Sequence, residues 1–219
     1  MLKDELESQE MKIGRDQFFK LLRANNKLVK PRRNGIRTTY SYRWYNRFDN
    51  LIQDIKPEAP NEVWVSDITY VRVMKGFVYL SLITDANSRR IVGYHLSNTL
   101  STDGCVKALK MALNGCPEPS GIIHHSDRGV QYCSKQYTSI LEENNMLISM
   151  TQPDSPLDNP IAERVNGIIK QEFIDNYYLT GIRDTRQVLS RAVEIYNSKR
   201  PHLSLKMETP NQVHFKDHM

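Results

Sequence analysis

Three acidic residues occupy positions where a negative charge needs a compensating partner. Asp67 interrupts an alternating valine pattern, Asp127 follows an apolar run, and Glu163 lies near the start of an amphipathic stretch. A carboxylate in a largely buried strand is costly unless it is paired or bound to a cation. Taken singly, an Asp at a strand end commonly forms a turn and a helical Glu is commonly solvated, so only their convergence would indicate chemistry.

Convergence of these three carboxylates would require cations. If the strand of Asp67 lies beside the strand that ends before Asp127, and the helix of Glu163 returns to the same edge, three negative charges repel each other. Hard divalent ions with oxygen ligands, Mg²⁺ or Mn²⁺, neutralise such a group. Two ions about 4 Å apart can activate an attacking oxygen and stabilise the leaving oxygen of a phosphodiester. The three acids therefore predict two-metal phosphodiester chemistry.

The elements that must position the acids follow from the hydrophobic pattern. Strand alternation over 62–73, an apolar run over 77–83 and a third strand over 91–96 predict three antiparallel strands. After them come a helix over 102–114, a strand over 121–125, a helix over 134–144, a strand over 147–150, and helices that begin at Pro160 and near Asp184, the latter with a capping box completed by Gln187. This order predicts an α/β fold, a mixed five-stranded sheet flanked by helices, whose first and fourth strands can be neighbours.

The helix that begins at Pro160 presents two different faces. An apolar stripe predicts the buried face, comprising Ile161, Val165, Ile168, Ile169 and Phe173. Glu163, Asn166 and Lys170 share another face. Two residues that flank the acids, His125 and Asn159, could orient them or contact DNA, although packing or helix capping explains them equally well. We assign Asp85 to a turn rather than to a fourth ligand.

The positive charge of the chain is concentrated near its N-terminus. The net charge is +5, but residues 11–50 hold 11 Lys and Arg against two Asp, while residues 51–219 are close to neutral. Aromatic residues alternate with these arginines, a pattern suited to a nucleic-acid backbone and its bases. We therefore divide the chain into a basic arm over 1–50, with a short helix over 15–24, and a globular domain over 51–219. The alternative is a merely solvated arm. The candidate DNA contacts of the arm are Arg32, Arg33, Arg37, Arg43 and Trp44.

Other classes of protein are disfavoured by the composition. No apolar run approaches the roughly 18 residues needed to span a bilayer, and the first ten residues are acidic, which is not typical of a secretory signal. The three cysteines form no Cys-x-x-Cys pair, and the six histidines lack zinc-ligand spacing. We therefore expect a cytoplasmic protein without a membrane partner, a disulfide framework or a zinc site.

Several segments resemble one known family. They are 64–70 (WVSDITY), 125–132 (HSDRGVQY), 158–164 (DNPIAER), 196–202 (YNSKRPH) and Thr209-Pro210. Together they look like the signature segments of bacterial insertion-sequence transposases with the retroviral-integrase, or DDE, catalytic core. Asp127 and Glu163 are separated by 35 residues, which is the spacing of that family. The resemblance extends from about Ile13 to Gln212.

The resemblance implies an RNase H-like fold in which Asp67, Asp127 and Glu163 hold two divalent metals. It also implies two reactions at one site, hydrolysis at the end of a mobile element and attack of the freed 3′-hydroxyl on another phosphodiester. Lys170 matches a position at which such integrases place a basic residue that contacts DNA, and a solvated Lys is the alternative. The implied partners are element-end DNA, target DNA and further copies of the chain, which would associate with the nucleoid when bound.

Two departures from the family pattern leave alternatives open. The arm resembles only the last part of a helix-turn-helix region, and Pro160 stands where a small residue is expected. The chain could thus be a truncated, inactive DNA-binding remnant that inhibits an intact transposase. A structure-selective nuclease, which would cut DNA but never join it, is the other enzymatic alternative.

Overall fold

Five strands form a mixed sheet in the part of the chain that the computed structural model describes, residues 13–25, 27–28, 48–152 and 159–216. They are β1 (Val63–Val73), β2 (Gly76–Asp85), β3 (Ile91–Ser97), β4 (Ile123–Ser126) and β5 (Leu147–Met150). Their order across the sheet is β3-β2-β1-β4-β5. The first three strands are antiparallel, and β4 runs parallel to both β1 and β5. The predicted five strands and the predicted proximity of the first and fourth are confirmed.

Helices precede, connect and follow these strands. They are α1 (Arg15–Ala24), α2 (Thr102–Asn114), α3 (Val130–Cys133), α4 (Lys135–Glu143), α5 (Pro160–Ile168), α6 (Ile182–Ser198) and α7 (Pro210–His214). A π-helical turn, Ile169–Ile174, continues α5, and a 3₁₀ turn, Leu203–Leu205, follows α6. Helices were predicted at α1, α2, α4, α5 and α6. The short helices α3 and α7 and the π turn have no periodic signal of sufficient length and were not predicted.

The sheet separates two hydrophobic cores. On one face, Trp64 and Ile83 pack with residues of α2, α3 and α4, including the fully buried Tyr137. On the other face, Leu80 and Leu82 pack against α5, the π turn and α6. Because neighbouring residues of a strand point to opposite faces, the apolar run of β2 contributes to both cores. This arrangement confirms β2 as a central strand buried on both sides.

The start of α6 differs from the prediction. The helix begins at Ile182 after Gly181, so Asp184 lies at the third helical position and is not the N-cap. Its carboxylate reaches back and accepts hydrogen bonds from the backbone N–H and the hydroxyl of Thr180. The predicted Asp184 and Gln187 capping box is therefore wrong, because Asp184 lies within the helix and its carboxylate bonds to Thr180, the residue before the N-cap. The β2–β3 turn agrees with expectation: Asp85 accepts hydrogen bonds from Asn61 N and from the backbone N–H and hydroxyl of Ser88.

The basic arm is described only in part. Helix α1 ends at Ala24, as predicted from its apolar spacing, and Asn25 follows it as the C-cap. The five proposed DNA contacts of the arm, Arg32, Arg33, Arg37, Arg43 and Trp44, lie outside the described residues. The boundary between an arm over 1–50 and a domain over 51–219 stays a prediction. In the described ranges, no helix has both the length and the apolar character required to cross a membrane.

Candidate active site

The register of the sheet places Asp67 beside Asp127. Strands β1 and β4 are parallel, and the last pair in their register is Val65 with His125. Asp67 and Asp127 each follow two residues after this pair, and the charge of Asp127 contributes to the raised pKa of Asp67, so the two carboxyls lie close together. Both side chains are half-buried. The two aspartates are therefore brought together by strand pairing, as the strand order had predicted.

The environment of Asp67 strongly favours its neutral form. Burial raises the pKa of this carboxyl to about 7, with a further contribution from the charge of Asp127 and a smaller one from Glu163. Two hydrogen bonds oppose the rise: Oδ2 accepts from Asn166 Nδ2 at 2.7 Å and Oδ1 accepts from Ile68 N at 2.8 Å. A divalent cation would remove the electrostatic cost of ionising this group, because it supplies the missing opposite charge.

Asp127 is held by the tight turn that follows β4. Its Oδ1 accepts a hydrogen bond from Gly129 N at 2.9 Å, while burial raises the pKa of the carboxyl above its usual value. A Cβ on Gly129 would lie 2.9 Å from that same oxygen and 3.1 Å from Gln131 Oε1, so a side chain at this position would displace the Asp127 carboxylate. Arg128, between them, instead donates to Thr151 O at 2.6 Å. The turn thereby fixes the orientation of the Asp127 carboxylate.

Glu163 reaches the site from the first turn of α5. Pro160 occupies an initial helical position, where its missing N–H costs nothing, and the backbone N–H of Glu163 donates to Asn159 O at 3.2 Å. The Glu163 side chain is exposed, yet its charge contributes to the raised pKa of Asp67. Across the described ranges, no three or more His, Cys, Asp and Glu side chains are grouped so that they could hold a metal ion. Strand pairing thus joins the two aspartates, whereas Glu163 stands on α5 outside any closed ligand set.

Two asparagines lie next to Asp67. Neither was chosen as a site residue from the sequence. Asn166 is buried and donates to the Asp67 carboxylate, while its own Oδ1 has no hydrogen-bond partner in the described structure. Asn159, buried as well, donates from Nδ2 to Ser66 O at 2.9 Å, and its Oδ1 is likewise unpartnered. Asn159 is the N-cap residue of α5, as expected before Pro160, but its side chain makes no capping hydrogen bond. The sequence signal for Asn166 was its position three residues after Glu163, which places both residues on one face of a helix.

The donor atoms at this edge fit a hard divalent cation. Asp67 and Asp127 supply carboxylate oxygens, and the unpartnered Oδ1 of the buried Asn166 is a further oxygen donor close to Asp67. Oxygen-only sets of this kind suit Mg²⁺ and Mn²⁺ better than softer metals. A buried acceptor without a donor also costs free energy, which a bound cation or its water would recover.

The two histidines of β4 belong to the interior. His124 Nε2 lies 2.7 Å from Ser66 Oγ and 2.9 Å from the Tyr137 hydroxyl, and burial lowers the pKa of His124 to about 3. His125 Nδ1 lies 2.8 Å from Ser149 Oγ, and the side chain is fully buried. Of the roles open to His125, packing agrees with the structure and contact with DNA does not. The histidines support the strand pairing that carries the aspartates.

The π turn changes the setting of Lys170. A hydrogen bond from Asp175 N to Lys170 O spans five residues, so the helical register shifts at the point where Lys170 lies. Lys170 is half-buried, and its charge opposes the burial-driven rise in the pKa of Asp175. The simple seven-residue spacing from Glu163 therefore does not fix the face of Lys170, and its contact with DNA stays a prediction.

Comparison with known proteins identifies the family. Residues 57–156 match one integrase core domain family, and residues 144–210 match a second. The chain is 35% identical over 211 residues to the uncharacterized 31 kDa protein of insertion element IS600 from Shigella sonnei, which covers 95% of this chain and 78% of that relative. The chain belongs to the bacterial insertion-sequence transposases. This transposase therefore has the family membership that its motifs indicated.

Two further relatives carry the name transposase. The transposase is 34% identical over 180 residues to that of IS904 from Lactococcus lactis, covering 78% of this chain and 71% of the relative. It is also 34% identical over 165 residues to that of IS629 from Shigella sonnei, covering 75% of this chain. The match spans 55% of the length of the IS629 protein.

A solved structure supports the fold of the transposase. The catalytic core domain of HTLV-2 integrase, determined with magnesium in a dimeric form, superposes with a TM-score of 0.58 at 18% sequence identity. The match covers 73% of this chain and 99% of the viral domain. The mixed five-stranded sheet with flanking helices is thus the RNase H-like fold, as the resemblance implied.

Proposed function

We propose that this transposase cuts DNA at the ends of a mobile element and joins the freed 3′ ends to new DNA, with Asp67, Asp127 and Glu163 as its catalytic and metal-binding residues. The observation that carries the proposal is the side-by-side placement of Asp67 and Asp127, with both pKa values raised, within an integrase core domain. Burial and mutual repulsion disfavour the ionisation of both carboxylates, and a bound cation would offset that cost.

Mg²⁺ or Mn²⁺, two ions when DNA is bound, would supply charge neutralisation and polarisation of the phosphodiester. The protein contributes orientation. Asn166 holds one oxygen of Asp67, Gly129 N holds one oxygen of Asp127, and Glu163 stands on α5 ready to complete the set. Hydrogen bonds of this kind fix ligand orientation and commonly affect metal affinity by about 10- to 100-fold.

The proposed substrates and partners are DNA and further copies of the chain. The arm over 11–50 carries the excess of Lys and Arg, and it would hold the phosphate backbone while the acids act. Arg32, Arg33, Arg37, Arg43, Trp44 and Lys170 are the proposed DNA contacts. Joining two element ends requires at least two protomers, so we expect a homo-oligomer in the DNA complex. The reaction would take place at the nucleoid in the cytoplasm.

A joining assay tests the proposal. A duplex with a pre-cleaved 3′ end is incubated with plasmid DNA and Mg²⁺ or Mn²⁺, and joined products are measured for the wild type and for Asp67→Asn, Asp127→Asn and Glu163→Gln. We expect joining by the wild type and none by the three variants. Glu194→Gln is the matched control, because it removes one exposed helical acid from α6 and leaves the site intact.

Each alternative outcome of the assay has a distinct meaning. Cleavage without joining by the wild type would indicate a nuclease. DNA binding with neither reaction would indicate an inactive remnant, and such binding would weaken steeply with salt. Joining by all three acid variants at the wild-type rate would show that these residues are not catalytic.

A further inference from the structure

A cavity of about 340 Å³ lies on the side of α5 that turns away from the acids. Helix α5 lines it with Pro160, Ile161, Arg164, Val165 and Ile168, whereas Glu163 and Asn166 occupy the opposite face of the same helix. The other walls are Arg89, from the β2–β3 turn, and the segment after α6, which contributes Arg200, His202, Leu203 and Ser204. The cavity is within the size range of small-molecule sites, and the proposed mechanism leaves it unused.

The floor of the cavity is apolar and its rim is cationic. Pro160, Ile161, Val165 and Ile168 form a continuous apolar wall along α5. Three guanidinium groups surround that wall. Arg200 is paired with Glu172 by two hydrogen bonds of 2.6 and 2.7 Å. Arg89 is half-buried, donates to Ala86 O and interacts electrostatically with Asp85, whereas Arg164 is exposed. An occupant should therefore combine a flat or apolar body with a negative charge.

His202 supplies a polar atom that needs a partner. The ring is buried, packs edge-to-face on Tyr196 with centroids 5.1 Å apart, and lines the cavity. Its Nε2 is buried and has no hydrogen-bond partner in the described structure. Burial, with help from Arg200 and Arg89, lowers the pKa of His202 to about 4, so the ring is neutral at pH 7. This nitrogen is closed off from solvent, so an occupant would reach it only if the ring shifted, and the neutral ring adds no positive charge to the cavity wall.

Leu203 adds an exposed apolar surface to the rim. This side chain is 85% exposed on the 3₁₀ turn that borders the cavity. An isolated exposed leucine is common, but this one lines the same cavity as the apolar residues of α5 and the three arginines. It could cover one face of a ring that entered the cavity.

We infer that this cavity binds one unpaired nucleotide of the DNA, with its base against the α5 wall and Leu203 and its phosphate on Arg89 and Arg164. The inference rests on the proposed function, because it takes DNA as the substrate. The width of a helix, about 10 Å, separates the cavity from the acids. The bound nucleotide would thus lie away from the phosphodiester that reacts. The DNA strand would then contact the protein on both sides of α5.

Fluorescence of 2-aminopurine tests the nucleotide site. The probes are a duplex with one unpaired 2-aminopurine at a 3′ overhang, the same duplex fully paired, and free 2-aminopurine nucleotide. We expect the overhang probe to bind about tenfold more tightly than the paired probe, with increased emission as the base leaves its stack, and the free nucleotide to bind far more weakly. Arg164→Ala and Leu203→Ser should each abolish the tenfold preference.

Matched controls separate the cavity from general charge and hydrophobicity. Arg191→Ala removes an exposed α6 cation, and Tyr178→Ser removes a side chain that is 81% exposed in the loop before α6. Both should retain the preference. Because all four altered side chains are exposed, folding is expected to survive, and thermal unfolding checks this.

The outcomes distinguish the nucleotide site from the proposed function. Equal binding of paired and overhang probes by the wild type, or an unchanged preference in both cavity variants, would overturn the nucleotide site alone. Failure to bind any duplex would overturn the proposed function as well. Free nucleotide that binds as tightly as the overhang would assign the cavity to a soluble ligand. A change of oligomeric state in Arg164→Ala and Leu203→Ser, with the preference for the overhang intact, would show that the cavity binds a second copy of the chain.

Discussion

Replacing Asp67 by Asn should stabilise the metal-free protein, although it removes a proposed catalytic residue. The pKa of Asp67 rises from an ordinary 3.8 to about 7. Between these two values the folded protein holds a proton that the unfolded chain releases, so the free energy of unfolding falls as pH rises through this window. Above pH 7 the full penalty is present, about 4 kcal/mol for a shift of about 3 pH units.

The net gain is smaller than this penalty. Asn at position 67 can retain an acceptor oxygen for Ile68 N and Asn166 Nδ2, but a neutral acceptor binds them more weakly, which costs about 1–2 kcal/mol. Partial solvent access to the side chain lowers the penalty further. We therefore expect Asp67→Asn to raise the free energy of unfolding by about 1–3 kcal/mol at pH 8 and to give no gain below about pH 4.

Urea denaturation in EDTA at pH 8 and at pH 4.5 measures this difference. His124 and His202, whose pKa values are lowered, destabilise both proteins as pH falls below 6.5, so the comparison between the two proteins isolates Asp67. Added Mg²⁺ should reverse the order by stabilising only the wild type. A variant less stable than the wild type at pH 8, or a gain that is the same at both pH values, would refute the reasoning.

Three further substitutions address the supports of the site and of the sheet. Asn166→Ala should lower strand joining about 10- to 100-fold with the fold retained, measured as joined product beside circular dichroism. Gly129→Ala would press a methyl group on Asp127 Oδ1, so we expect loss of joining and of about 1–3 kcal/mol in urea denaturation; unaltered joining would contradict this. Gly93→Ala would drive a methyl group into the backbone of α2 at Ala108, so the midpoint temperature of thermal unfolding should fall well below that of the wild type. An equal midpoint temperature would show that α2 can shift.

The sheet and the pair of aspartates were predictable because their signals are local. Alternation in β1 and the doubly apolar β2 fixed the strands, and the order of elements made β1 and β4 neighbours. Because β1 and β4 are neighbours, Asp67 and Asp127 come close together, since each lies two residues after the last β1–β4 pair. Motif spacing then added Glu163, which no periodicity would have singled out.

Features that depend on packing between distant segments were not predictable. Asn159 bonds to Ser66, 93 residues away, and the cavity joins α5 to the β2–β3 turn and to the segment after α6. The π turn arises within a stretch whose apolar spacing reads as continuous α-helix, so Lys170 was assigned to a face that the register shift leaves undetermined. The arm contacts rest on charge and aromatic content alone.

The difference in length between β1 and β4 has a consequence for access to the acids. β1 has 11 residues and β4 has four, and their pairing ends at Val65 and His125. Beyond that point no strand in the described ranges pairs with the β4 side of β1, and Asp67 lies two residues past the last pair. The site is thus accessible at the edge where β4 is shorter than β1. The paired residues of β1 and β4 hold the sheet together, whereas Asp67 lies on the part of β1 that continues past β4, so the stability of the sheet and access to this carboxylate are set by separate parts of the chain.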